Sequence, residues 1–283
     1  MPDNRTNELL GYPSDARVLI VNADDFGMYR GITEAIFRTL KEGVVRSTSL
    51  MVPCPFAVHA MHLLRENPDL DFGIHLTVIR DRTNHNWGPL TPRDKVPSIL
   101  DESGCFYTLE CLSELLAGAK LDELEMEFRA QIEAVLAGGL KPTHLDWHCL
   151  HNGGRADILD LTVGLAKEYG LAVRVFDPAL VEKFQSQGLP TGDFDLLDSF
   201  RLDTTDKAAG YIQMLHELPA GLSQWAVHPG WGDADAQAQD PGGWLVRQTD
   251  FEFLISPEAG QAILQEGIIL LGYKAFQKVW QSK

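Results

Sequence analysis

A short apolar run that ends in two adjacent acidic residues constrains the fold of this chain most. Residues 18–21, Val-Leu-Ile-Val, lead through Asn22 and Ala23 to Asp24 and Asp25. A continuous apolar run of this length is typical of a strand buried on both faces, as in a parallel sheet. Two carboxylates at its end repel each other and lose hydration unless a cation or positive donors offset the cost. A helix N-cap followed by a solvated acidic turn is the alternative interpretation.

Apolar strands alternate with amphipathic helices along most of the 283 residues. The pattern predicts strands at 18–21, 44–52, 70–76, 142–151, 171–176, 222–228 and 268–271, and helices at 31–42, 55–66, 121–136, 156–169, 178–187, 204–217 and 256–265. About seven strands in such alternation indicate an α/β fold with a mostly parallel sheet. A closed (β/α) barrel and an open doubly wound sheet both fit. The first turn lacks GxGxxG, so a dinucleotide-binding fold has no support.

The chain is predicted to form a single domain over residues 1–283, because its length suits one large α/β domain and no Pro/Ser-rich linker divides it. The alternation of strands and helices becomes irregular at about 77–121, which indicates an insertion after the third strand. Long insertions often serve as lids or binding loops. Trp87 in this insertion either offers a stacking surface to a sugar ring or only anchors the loop. Residues 229–248 are predicted to form a second loop, rich in Gly and Asp.

Composition narrows the classes of partner and compartment. The formal net charge of −16 argues against binding to nucleic acid and against a polyanionic substrate. Residues 1–17 do not resemble a signal peptide, and no apolar stretch of about 18 residues predicts a membrane span. The four cysteines have no CxxC spacing, which favours reduced thiols in a cytoplasmic protein. A homodimer is compatible with the sequence.

Acidic residues and histidines stand at the ends of several predicted strands. Asp24 and Asp25 follow the first strand, His75 ends the third, His148 lies in the strand at 142–151, and His228 ends the strand at 222–228. In α/β barrels the carboxyl ends of the strands converge on the active site. We therefore expect these five side chains to lie close together.

The segment His144-Leu-Asp146-Trp-His148 places three polar residues at alternate positions. On a strand they point to the same face. A polar strand face at a solvated edge is the alternative. The same alternation predicts that Cys149 points to the opposite face from His148 and packs there.

Two neutral imidazoles and one carboxylate form a divalent-metal ligand set that leaves positions open for water and substrate. A second carboxylate can act as general base, and a further histidine can protonate a leaving group. This inventory suits hydrolysis of an amide or ester. The chain contains no GxSxG or P-loop motif that would indicate a competing chemistry.

Four segments resemble the motifs of the YdjC/ChbG carbohydrate deacetylases, which are related in mechanism to the NodB-type polysaccharide deacetylases. They are NADDFG at 22–27, GIHL at 73–76, THLDWH at 143–148 and VHPG at 227–230. They occur in the family's order and cover residues 17 to about 255. Each motif alone is weakly specific, whereas the ordered set is a strong signal.

The resemblance implies a distorted or incomplete (β/α) barrel that removes N-acetyl groups from sugars with one divalent ion, Mg²⁺ or Zn²⁺. By position, Asp25, His75 and His148 would hold the metal. Asp24 would be the general base, and His228 would protonate the departing amine.

Other residues are predicted to support these groups or to contact the substrate: His144, Asp146, Arg247 and Trp87. Arg247 and Asp250 either brace the base or contact the substrate, or they form a plain surface ion pair. The family motif often continues with further histidines after His148, whereas here Cys149 and Leu150 precede His151. This departure leaves the outer pocket and the substrate open.

A deacetylase acting on an N-acetylated sugar or glycoconjugate is the leading hypothesis. A phosphoesterase or other metallohydrolase could use the same ligands, but such enzymes usually need more ligands for two metals. A catalytically silent sugar-binding protein of the same fold is the third hypothesis. Asp24 and His228 count against it, because a binding module needs neither a base nor an acid.

Overall fold

The computed structural model of the protein describes residues 5–283, which fold around a sheet of parallel strands. The strands are β1 (Arg17–Phe26), β2 (Ser47–Leu50), β3 (Phe72–Leu76), β4 (Ile79–Arg80), β5 (Tyr107–Thr108), β6 (His144–Trp147), β7 (Ala172–Val173), β8 (Leu197–Asp198), β9 (Gly221–Val227) and β10 (Ile269–Leu271). The helices are α1 (Arg5–Leu10), α2 (Arg30–Glu42), α3 (Ala57–Glu66), α4 (Leu112–Gly118), α5 (Leu121–Ala137), α6 (Ala156–Tyr169), α7 (Pro178–Ser186), α8 (Lys207–His216), α9 (Ala234–Gln239), α10 (Trp244–Leu254), α11 (Pro257–Gln265) and α12 (Lys274–Trp280).

Strand β1 lies at the centre of the main sheet. The strand order is β7-β6-β3-β2-β1-β9-β8, and β10 pairs with the first half of β1. Every pairing in this sheet is parallel. Residues 18–21 of β1 are fully buried, as expected of a strand covered on both faces. Among the described residues, no pairing joins the edge strands β7 and β8, so the barrel does not close. The predicted incomplete barrel with about seven parallel strands is confirmed.

The predicted insertion at 77–121 is ordered around a small sheet and one helix. Strands β4 and β5 pair in parallel, and α4 follows them. Helix α5 holds this segment through side chains that bond its backbone. Glu127 accepts hydrogen bonds from the amides of Leu90 and Thr91, and Gln131 bonds both the amide and the carbonyl of Thr77.

The predicted single domain over residues 1–283 stays a prediction, and residues 1–4 lie outside the described part.

Several short elements differ from the sequence-based prediction. The predicted loop at 229–248 contains α9 and the first half of α10. Strand β7 has two residues instead of six, and the amide of Arg174 directly after it still donates to the carbonyl of Leu145 in β6. Helix α12 was not predicted, since it is too short to produce a clear periodicity. Within residues 5–283, no helix is both long and apolar enough to cross a membrane.

Candidate active site

The carboxyl ends of the parallel strands open into a cavity of about 550 Å³. Its lining brings together the five strand-end residues singled out by the sequence: Asp24, Asp25, His75, His148 and His228. Asp24 and Asp25 lie within β1, and His75 lies within β3. His148 and His228 come directly after β6 and β9. The parallel topology therefore collects residues that are distant in sequence.

A backbone irregularity in β1 allows two adjacent carboxylates to face one cavity. In a regular strand, neighbouring side chains point to opposite faces. Here the register with β2 shifts between Ala23 and Phe26, and Asp25 has a φ of 73°. A left-handed backbone at a residue other than glycine costs about 1–3 kcal/mol and is found mainly at functional sites. The irregularity re-aims the side chain, as bulges next to active sites commonly do.

Asp25, His75 and His148 offer one ligand atom each within 4.8 Å of one another. Oδ1 of Asp25 lies 3.2 Å from Nδ1 of His148 and 3.6 Å from Nε2 of His75. All three residues are buried. One carboxylate oxygen and two imidazole nitrogens directed at a common point can hold a divalent ion.

Each of these histidines has a carboxylate at its other ring nitrogen. Nδ1 of His75 lies 2.7 Å from Oδ1 of Asp146, and Nε2 of His148 lies 2.7 Å from Oδ1 of Asp81. Carboxylates in this position orient a histidine ligand and fix its tautomer. Sequence reasoning missed Asp81, because nothing marks it among the other acidic residues of the chain.

Asp24 is held by a buried arginine that sequence reasoning also missed. Arg174 donates to both carboxylate oxygens of Asp24, at 2.8 and 2.7 Å, and Asn22 donates to Oδ1 at 2.6 Å. Burial raises the pKa of Asp24, but Arg174 outweighs it and keeps the pKa below its usual range. Arg174 also lies 3.1 Å from Asp146. The available signal was a lone arginine in the apolar run LAVRVF, since buried arginines need a partner.

Arg247 contacts Asp25 and not Asp24. Its NH1 donates to Oδ2 of Asp25 at 2.9 Å, and its Nε donates to Asp240 at 3.2 Å. Burial raises the pKa of Asp25, but Arg247 and His148 lower it more strongly, so the pKa lies well below its usual range. Arg247 therefore braces Asp25 and not Asp24, the residue predicted as the base, and the predicted surface pair with Asp250 is wrong because Arg247 is buried. Contact of Arg247 with the substrate stays a prediction.

His228 lines the same cavity and lies next to β8. Its Nδ1 is 2.9 Å from the hydroxyl of Ser199 and 3.9 Å from Oδ1 of Asp198. Its backbone amide donates to Oδ2 of Asp250 at 2.8 Å. Asp250 also accepts from Lys207 and Tyr211. These bonds fix both the backbone and the ring of His228.

Comparison with known proteins assigns the chain to a family. The model of YdjC-like proteins matches residues 18–265. The chain belongs to the YdjC-like family. Carbohydrate deacetylases of Thermoanaerobacter pseudethanolicus and Enterococcus faecalis are each 30% identical to this YdjC-like protein, over 91% of its length and 98% and 97% of theirs.

A solved structure from Enterococcus faecalis V583 has the same fold. That protein is described as a candidate cellobiose-phosphate cleavage protein, and its crystal structure extends to 1.70 Å. It superimposes with a TM-score of 0.77 and 30% identity, covering 92% of this chain and 98% of that one. The open barrel is thus shared over nearly the whole length.

The aromatic residues that line the cavity of this YdjC-like protein differ from the one that the sequence suggested. Trp87 is only 3% exposed, stacks on His85 and meets the ring of His148 edge-on, so it anchors the insertion and offers no stacking surface. Phe176 and Phe200 line the cavity instead. Sequence reasoning missed both, because they follow short or unpredicted strands.

Two polar residues of the H-x-D-x-H segment lie beneath the ligand set. His144 is fully buried, stacks on Tyr273 and has its Nε2 3.2 Å from the hydroxyl of Ser49. The same hydroxyl donates to Asp146 at 2.6 Å. His144 therefore supports Asp146 from below, with its Nε2 3.6 Å from Oδ2 of Asp146. Asp146 in turn contacts His75 of the ligand set directly.

Cys149 lies beside His148, contrary to prediction. Strand β6 ends at Trp147, so alternation no longer governs the following residues. Cys149 has a φ of 56°, and its Sγ is 3.4 Å from Nε2 of His148. His151 also lines the cavity, with its ring edge-on to Phe176.

Proposed function

We propose that this protein is a metal-dependent deacetylase that removes an N-acetyl group from an amino sugar, an oligosaccharide or a glycoconjugate. One observation carries the proposal: a metal ligand set, a separate carboxylate and a histidine line one cavity in a chain of the YdjC-like family. The similarity to proteins named carbohydrate deacetylases supports the choice of substrate.

The charges around the ligand set fit a divalent cation. Four carboxylates meet two guanidiniums there: Asp24, Asp25, Asp81 and Asp146 against Arg174 and Arg247. With neutral imidazoles, two negative charges remain in excess, and a buried excess of this size needs a counter-charge. Asp25, His75 and His148 would hold the ion. Two imidazole nitrogens favour Zn²⁺ over Mg²⁺, which prefers oxygen ligands. When bound, such an ion polarises a carbonyl and lowers the pKa of water.

Asp24 is assigned as the general base. Burial raises its pKa, but Arg174 and His75 hold the pKa below its usual range, so the carboxylate is ionised at neutral pH and can accept a proton, although as a weaker base than an unpaired aspartate. Arg174 and Asn22 hold it in one orientation, so no reorganisation is needed when a water approaches.

His228 is assigned as the acid that protonates the departing amine. Ser199 bonds its Nδ1, which leaves Nε2 as the nitrogen for the substrate. Phe200 packs edge-on against the imidazole, with ring centroids 4.8 Å apart, and limits its rotation. Oδ1 of Asp198 lies 3.9 Å from the same Nδ1, on the side of the ring that faces β8.

The arginines in the cavity argue against a phosphorylated substrate. Arg174 and Arg247 are each paired with a carboxylate, and Arg82 lies 3.3 Å from Asp240. The two buried arginines that line the cavity are therefore engaged, and only the half-exposed Arg82, among the described arginines of the lining, has nitrogens left for a phosphate. The presence of a positioned base and acid likewise favours an enzyme over a silent sugar-binding protein.

Release of acetate from N-acetylated oligosaccharides of glucosamine tests the proposal. We expect turnover by protein loaded with Zn²⁺ or Mg²⁺, loss of turnover after chelation, and recovery when the metal is returned. The Asp24→Asn variant is the control for contaminating deacetylases. Hydrolysis of p-nitrophenyl phosphate with no acetate release would overturn the proposal in favour of a phosphoesterase, and metal-loaded protein inactive on both would favour a binding protein.

A further inference from the structure

A second set of three donor atoms lies on the other side of the His148 ring. Nε2 of His148 is 2.7 Å from Oδ1 of Asp81 and 3.4 Å from Sγ of Cys149, and these last two atoms are 3.8 Å apart. Ligands in a tetrahedral zinc site, with bonds of about 2.0–2.3 Å, lie about 3.3–3.6 Å from one another. The two separations that involve sulfur, 3.4 and 3.8 Å, are close to these dimensions. The 2.7 Å between Nε2 and Oδ1 is a hydrogen bond that would lengthen by about 0.6 Å when an ion replaces its proton.

The chemistry of this triangle differs from that of the first ligand set. It contains a thiol in addition to a carboxylate and an imidazole, and thiolates select thiophilic ions such as Zn²⁺ and Cd²⁺. We propose that Asp81, Cys149 and Nε2 of His148 form a second metal position for a thiophilic divalent ion. Binding releases the proton of the thiol to solvent, and the single imidazole proton moves from Nε2 to Nδ1.

Access and backbone geometry support this position. Asp81 and Cys149 both line the cavity and are partly exposed, so an ion can enter from solvent. The left-handed backbone at Cys149 directs its sulfur toward the imidazole. The donors come from two separate parts of the chain: Asp81 follows β4 in the 77–121 segment, and Cys149 follows β6.

The two positions compete for one imidazole, an inference that rests on the proposed role of Asp25, His75 and His148. A neutral imidazole carries one proton and has one free nitrogen. With an ion at Nδ1, the proton on Nε2 faces Asp81. With an ion at Nε2, the proton on Nδ1 faces Oδ1 of Asp25, 3.2 Å away. Occupation of the second position therefore removes a ligand from the first, and excess zinc inhibits the enzyme.

Cadmium titration of the metal-free protein tests the site without an activity assay. A cadmium–thiolate bond adds an ultraviolet charge-transfer absorption. We expect wild-type protein to develop this absorption with one equivalent bound through sulfur, Cys149→Ser to lose it, and Cys111→Ser to keep it. Cys111 is a matched control, because it is also partly exposed but lies outside the cluster. An unchanged absorption in Cys149→Ser, or none in the wild type, would overturn the proposal.

Alkylation of the wild-type protein avoids any dependence on a variant that folds poorly. Iodoacetamide labelling of Cys149, followed by mass spectrometry, should slow about tenfold when free Cd²⁺ is about ten times its Kd. Labelling of Cys111 should not change. Equal labelling of Cys149 with and without Cd²⁺ would contradict the site.

The Asp25→Asn variant separates this proposal from the proposed function. It removes a ligand of the first position only, so the cadmium–thiolate absorption should persist. Loss of the absorption in this variant would place the thiolate-bound ion in the first set and overturn a separate position. If the absorption persists but no metal-dependent deacetylation exists in the wild type, the second position stands and the proposed function fails.

Discussion

Asp24 and Asp25 are neighbours in the sequence and are both buried, but their surroundings differ. Arg174, which follows β7, bonds both oxygens of Asp24. Arg247, on α10, bonds only Oδ2 of Asp25 and leaves Oδ1 facing the two histidines. The identity of the residue therefore does not determine its role. The oxygen that the neighbouring groups leave free determines whether a carboxylate can bind a metal.

The same comparison explains why we expect the cluster of Asp24, His75 and Asp146 not to bind the proposed metal ion. Asp24, His75 and Asp146 also offer ligand atoms within 4.8 Å of one another. Arg174 already contacts both of these carboxylates, so a guanidinium supplies the positive charge there. A cation at that point would have to displace a buried arginine. We therefore expect the ion at Asp25.

Removing the charge of Asp25 should have the largest effect on metal affinity. Asp25→Asn replaces a charged ligand by a neutral amide, so metal affinity should fall more than about 100-fold, since even an outer partner of a ligand is worth 10–100-fold. Isothermal titration of the metal-free protein with Zn²⁺ measures this loss. Affinity equal to that of the wild type would show that Asp25 is not a ligand.

Asp24→Asn should leave metal binding near the wild-type value and reduce turnover. The expected loss in kcat is about 10²–10⁴, the usual contribution of a positioned general base. Metal content of the purified variant and its rate of acetate release measure the two effects separately. If Asp24→Asn and Asp25→Asn lose metal equally, the two carboxylates do not differ in the way described above.

His228→Ala tests whether His228 acts as the acid without taking part in metal binding by Asp25 or proton transfer by Asp24. We expect the metal and the substrate affinity to be retained, with a loss in kcat of about 10²–10⁴ on an amide. An activated ester has a leaving group that needs no proton, so much of the rate should return with that substrate. Equal impairment on amide and ester, or loss of the metal, would indicate a structural or ligand role for His228.

The sequence predicted which residues meet in the cavity better than it predicted their partners. The strand-end acids and histidines are recognisable because they interrupt apolar runs, and parallel topology brings strand ends together. The partner of Arg247 depends on the irregular backbone at Asp25, which alternation does not reveal. Cys149 was assigned to the wrong face because alternation was extended beyond the end of β6.

Substitution of the carboxylates that contact His148 and His75, Asp81 and Asp146, should have the smallest effects on metal affinity. The two substitutions should differ in their effect on stability. Asp81→Asn and Asp146→Asn each weaken the orientation of one histidine, so both should lower metal affinity by about 10–100-fold. Asp81 is partly exposed, whereas Asp146 is fully buried and also contacts Arg174 and Ser49. Leaving part of a buried ion network uncompensated costs about 3–5 kcal/mol. Urea unfolding of the metal-free proteins should therefore show a large loss of stability for Asp146→Asn and little for Asp81→Asn. Unchanged metal affinity in both variants would contradict the orienting role, and equal stability losses would mean that Asp81 is also part of the buried network.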